Sequence, residues 1–116
     1  AENMIENFNP DIAFISADGL TPEQGLTWAY EGEANIAKKM IQRSKKNIAL
    51  MTEEKLNVID NISSVSCKEI DILITSTKKN YLLKPFKKKG IKVVNALINN
   101  KKQKSKNNII KFNEAR

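Results

Sequence analysis

Four short runs of β-branched and aliphatic residues, separated by stretches of other character, limit what this chain can fold into. Ile70-Asp-Ile-Leu-Ile-Thr75 is nearly continuous in such residues, the pattern of a strand buried on both faces. Ile12-Ala-Phe-Ile15, Asn47-Ile-Ala-Leu-Met51 and Ile91-Lys-Val-Val-Asn95 have the same composition. Between the first two, Glu31 to Ser44 places Ala34, Ala37, Met40 and Ile41 at helical spacing and turns Lys38, Lys39 and Arg43 away. Glu31 and Glu33 fall in its first turn and basic residues near its end, as the helix dipole favours. Strand, helix, strand in that order is the βαβ unit, so the expected class is α/β with a mostly parallel sheet.

The remaining segments are weaker. Residues 1–9 read as the end of a helix, with Met4, Ile5 and Phe8 on one side and Pro10 stopping it. Leu56 to Val65 reads as a loop with a short strand, and Ser66-Cys-Lys-Glu69 has the form of a capping box opening a short helical turn. Asn80 to Lys89 is weakly helical, with Tyr81, Leu82 and Phe86 inward, Pro85 starting or interrupting it and Gly90 closing it. Residues 99–108 are polar, basic and of low complexity, a loop or a disordered stretch. Ile109-Ile-Lys-Phe112 is either an edge strand or a tag-like remnant.

A chain of 116 residues makes one domain that buries roughly two-thirds of its unfolded surface. Cys67 is the single cysteine and there is no histidine, which argues against an internal disulfide, a zinc site and Cys/His catalysis. Cys67 is expected as an inert, half-buried thiol, and no cofactor is expected. No apolar run approaches the ~20 residues of a membrane span and no signal pattern opens the chain, so a cytoplasmic protein is expected. The net charge of +7 is unevenly spread: residues 1–77 hold 7 basic and 12 acidic side chains, residues 78–116 hold 13 basic ones and Glu114. Such a basic third either contacts nucleic acid or an acidic partner, or is simply solvated.

Chemistry concentrates after the first strand. Ala17 to Tyr30 reads as one long loop, a lid carrying Trp28, and loops much longer than ~6 residues inside a compact α/β unit are usually functional or disordered. It leaves the carboxyl end of a strand, where open α/β sheets place ligands, which makes Asp18 and Gly19 the leading binding candidates. Thr52-Glu-Glu-Lys55 leaves the next parallel strand on the same edge, so Lys55 belongs beside Asp18. The plain alternatives are turn chemistry for Asp18-Gly19, a solvated loop position for Lys55 and a first-turn acid for Glu33.

Several separated pieces resemble one family. Asp11-Ile-Ala-Phe-Ile-Ser-Ala-Asp-Gly-Leu20, Gly25-Leu-Thr27, Glu33-Ala34 with Lys38-Lys-Met-Ile41, Glu69-Ile-Asp-Ile-Leu-Ile-Thr75 and Gly90-Ile-Lys-Val-Val94 are similar, in order and spacing, to the effector-sensing domain of DeoR-type transcriptional repressors. The resemblance covers about residues 11–94. It implies a three-layer, mostly parallel fold like that of ribose-5-phosphate isomerase and CoA-transferase-like proteins, truncated on its N-terminal side. It implies a partial sensing domain over residues 1–95 and a basic extension over 96–116. It further implies a phosphorylated sugar as effector, DNA contact through a helix-turn-helix that this chain lacks, and a homo-oligomer with no membrane association. The effector-binding residues it suggests are Asp18, Gly19, Gly25, Thr27, Glu33 and Lys55, with no catalytic and no metal site.

Three departures accompany it. Thr52 stands where the family has Asp, Glu53 and Glu54 replace small residues, and the family's upstream sugar-phosphate loops have no counterpart. The expectation is a C-terminal fragment or a reduced relative. Isomerase-type catalysis, the alternative, needs a carboxylate to move a proton and a cation to steady the enediolate. Asp18 or Glu33 with Lys55 would serve, but Thr21 occupies the place of the isomerases' second acid.

Overall fold

The computed structural model describes residues 8–97. The expected helix end over residues 1–9 and the segments 99–108 and 109–112 fall wholly or mostly outside them. Among the described residues the strands and α-helices run in the order β1 (Ile12–Ile15), β2 (Gly19–Thr21), β3 (Gly25–Trp28), α1 (Glu31–Arg43), β4 (Lys46–Leu50), β5 (Ile62–Val65), β6 (Ile72–Thr75), α2 (Lys84–Lys88) and β7 (Lys92–Asn95). Strands β1, β4, β6 and β7 form a parallel sheet in that order, and β2, β3 and β5 form a small antiparallel one. The class is α/β with a mostly parallel main sheet.

Register explains the core. Pairing Ala13 with Asn47, Ile15 with Ala49, Ala49 with Leu73 and Leu73 with Val93 puts these side chains on one face. That face is closed by Ala34, Ala37 and Ile41 of α1, by Leu26 and Val65 of the small sheet and by Leu83 and Phe86, all in one buried cluster. Ile12, Phe14, Ile48, Leu50, Ile72, Ile74 and Val94 share the opposite face. Phe14 is 57% exposed, Ile12 48% and Leu50 40%, so the described residues layer only one side of the sheet. Ile72 and Ile74 are consequently only half-buried, and the strand begins at Ile72 because Ile70 turns into the core ahead of it.

The stretch Ala17 to Tyr30 is not one loop. Gly19-Leu-Thr21 and Gly25-Leu-Thr-Trp28 pair as a hairpin, and β3 pairs on with β5. Thr21 Oγ1 accepts the Gln24 N–H at 3.0 Å to close the turn. Gly25 sits at φ +74°, and a side chain there would run into the Val65 carbonyl. The capping box at Ser66 is formed: Glu69 Oε2 accepts the Ser66 N–H at 2.9 Å ahead of a 3-10 turn, Cys67–Glu69. Tyr81, expected inward, is 65% exposed, because the 3-10 turn Asn80–Leu82 hands the inward position to Leu83.

Candidate functional site

An isolated bridge from the small sheet, added to strand topology, brings the segments of Asp18 and Lys55 together. Asp18 immediately precedes β2, and Lys55 ends a 3-10 turn, Glu53–Lys55, that follows β4. The next residue, Leu56, bridges Leu20 of β2, and the Asn57 N–H donates to the Leu20 carbonyl at 2.7 Å. Asn57 adopts φ +64°, a conformation that asparagine tolerates better than most residues. The exit of the Lys55 turn is thus stitched to the strand that Asp18 opens.

Asp18, Glu33 and Lys55 line one cavity of about 370 Å³ with Ser16, Trp28 and Met40 among its walls. Asp18 is half-buried; its N–H donates to Thr27 O at 3.0 Å and its Oδ2 accepts the Ala29 N–H at 2.8 Å. Lys55 is half-buried, and its ammonium has neither hydrogen bond nor ion pair among the described residues. Glu33 is exposed in the first turn of α1. Trp28 is 3% exposed, with its indole N–H donating to Ser16 O at 3.3 Å, so it is a wall of the cavity and not a lid.

The other three expected positions lie elsewhere. Gly19, Gly25 and Thr27 are buried and do not line the cavity. A side chain at Gly19 would meet the Val58 carbonyl, and Thr27 Oγ1 accepts the Asp60 N–H at 2.8 Å. These residues let the small sheet close. Thr21, in the place of the isomerases' second acid, is 5% exposed and engaged in its turn.

A second crevice, about 690 Å³, opens at the carboxyl ends of the parallel strands and shares Ser16 and Lys55 with the first. Thr52, Glu53, Glu54, Thr75 and Ser76 contribute to it. Thr75 Oγ1 is buried without a partner among the described residues. Glu53 Oε1 accepts the Thr77 hydroxyl at 2.8 Å and Oε2 pairs with the Lys79 ammonium at 3.4 Å. The Thr77 hydrogen bond, followed by Lys79, holds the Glu53 carboxyl below the usual glutamate range. Its charge is therefore engaged within the fold. Thr77 and its partner Asn95 were invisible to sequence reasoning, since a threonine in a polar turn and an asparagine at a strand end carry no local signal.

Cys67 is buried at 6% exposure, more than expected, with its thiol donating to Thr21 O at 3.5 Å; burial pushes the thiol up. No group of three His, Cys, Asp or Glu side chains among the described residues could hold a metal ion. No described helix is long and apolar enough to cross a membrane. Lys78, Lys84, Lys87, Lys88, Lys89 and Lys92 are all exposed.

The family model described as the DeoR C-terminal sensor domain matches residues 1–77. The chain is 38% identical over 92 residues to the HTH-type transcriptional regulator GolR of Listeria innocua, covering 78% of this chain and 36% of that protein. It is 34% identical over 76 residues to the HTH-type transcriptional repressor GlcR of Bacillus subtilis, covering 66% of this chain and 29% of the repressor. Against the HTH-type transcriptional regulator GlpR of Haloferax volcanii the figures are 32% over 75 residues, 65% and 29%. The chain thus spans about a third of the length of the curated relatives it matches.

Proposed function

This chain belongs to the DeoR C-terminal sensor domain family, and on that premise we propose that its Asp18–Lys55 cavity binds a phosphorylated sugar as the effector of a DNA-binding transcriptional regulator of carbohydrate metabolism. The observation that carries the reading is the lining of that cavity. Two carboxylates, Asp18 and Glu33, an ammonium without a partner among the described residues and an indole wall meet there. Asp18 can accept hydrogen bonds from sugar hydroxyls, and Lys55 can supply a point charge to a phosphate. The neighbouring crevice adds the hydroxyl side chains of Thr52 and Ser76, which suit a polyhydroxylated ligand.

Catalysis is not part of the proposal: Thr21, held in its own turn, stands in the place of the isomerases' second acid, and Glu33, the other carboxylate of the cavity, is exposed in the first turn of α1. Contact with DNA is assigned to a helix-turn-helix outside this chain, as the names of the relatives suggest for those proteins, and the working unit is taken as a cytoplasmic homo-oligomer. The exposed lysines after residue 77 fit a solvated surface.

Thermal unfolding with a panel of sugar phosphates and their unphosphorylated counterparts tests the reading. A ligand at 100 times its Kd stabilises by about 2.7 kcal/mol, which raises the midpoint of a domain this size by several degrees. A rise with a phosphorylated sugar and none with its parent sugar is expected. No rise with any member would remove the effector reading.

A further inference from the structure

We propose that Glu53 is a positioning residue for Lys55: it cross-links the turn that carries the ammonium to the loop after β6, so that the turn after β4, the loop after β6 and the end of β7 form one unit around the crevice. The inference rests on the reading of Lys55 as the effector's cationic contact. The connections are explicit. Glu53 opens the 3-10 turn whose last residue is Lys55, and its own carbonyl accepts the Leu56 N–H at 3.0 Å. Its side chain leaves the turn to accept the Thr77 hydroxyl at 2.8 Å and to pair with Lys79 at 3.4 Å.

Thr77 is a fixed anchor, 2% exposed. Its N–H donates to Asn95 Oδ1 at 3.2 Å, its carbonyl accepts from Asn95 Nδ2 at 2.8 Å, and its hydroxyl oxygen also accepts the Lys79 N–H at 2.9 Å. The chain of contacts therefore runs from the turn after β4, through the loop after β6, to the end of β7. A glutamate two residues before the cationic contact would, if it faced the ligand, repel a phosphate. Directed at Thr77 and Lys79 instead, it is charge-compensated, and Lys55 keeps its own charge for the crevice.

Amide exchange measured residue by residue by NMR on the whole chain tests this. Replacing the anchor (Thr77→Val) or the latch (Glu53→Ala) should speed exchange at the Lys55 and Leu56 amides by about tenfold, while the Asp18 and Asp71 amides, bonded to Thr27 O and Asn47 O, stay within about twofold. Thr77→Ser keeps the hydroxyl and Glu53→Gln keeps an acceptor, so both should stay close to the parent protein. Unchanged rates at Lys55 and Leu56 in both severe variants would overturn the proposal. So would a rise shared by all four amides, or conservative variants that behave like the severe ones. Titration with inorganic phosphate, followed at the Lys55 amide resonance, separates the two readings. A parent protein that shows no shift counts against the effector reading, while the exchange pattern still decides the role of Glu53.

Discussion

The Asp18 carboxylate accepts the Ala29 N–H through one oxygen, and Oδ1 has no partner among the described residues. A structural and a binding role can thus sit on the same side chain, and substitution separates them. Asp18→Ala removes a charged acceptor and is expected to cost about 1.5–3 kcal/mol in urea unfolding, whereas Asp18→Asn retains an acceptor and should cost about half of that or less. If the alanine variant unfolds at the same urea concentration as the parent, the bond to Ala29 contributes nothing. At this scale the nearness of Asp18 and Lys55 was legible, because loops leaving parallel strands on one edge lie near each other, whereas Glu33, in the first turn of α1, was marked by the family resemblance alone. The sequence was uninformative about Gly19, Gly25 and Thr27. A family pattern marks those positions, but the close approach of the Val58 and Val65 carbonyls accounts for both glycines without any ligand.

Among the elements, the parallel strands and α1 were legible because each carries its signal locally, in β-branched runs or in apolar spacing of 3.6. The hairpin β2–β3 was not. Its strands are three and four residues long, rich in Gly and Thr, and bound by Pro22 and Gly25, so the composition reads as loop. What builds the pair into a sheet is β3 pairing on with β5, more than 30 residues further on, which no local pattern reports. The main sheet also proves one-sided among the described residues, and this has a measurable consequence. Leu73→Ala, on the covered face at 0% exposure, is expected to cost about 2–5 kcal/mol. Phe14→Ser, on the open face at 57% exposure, should change stability by no more than about 0.5 kcal/mol despite the larger side chain removed. Equal losses from the two would mean that the open face is covered in solution.

For the whole molecule, a single buried cluster ties α1, the small sheet and the main sheet together, and the cavity lies where they meet. The chain accounts for about a third of the relatives it matches, and the proposed sensing site lies within that third. Trp28, the one tryptophan, is buried in the cavity wall, which makes it a label-free probe for a ligand there. The decisive measurement is its fluorescence during titration with a panel of sugar phosphates, in the parent protein and in Lys55→Met. A saturable change with at least one phosphorylated sugar, weakened at least about tenfold by Lys55→Met, is the predicted result, since a charge-assisted contact contributes roughly 1.5–3 kcal/mol. A parent protein silent to every member of the panel, or a Lys55→Met variant that binds as tightly as the parent, would contradict the account.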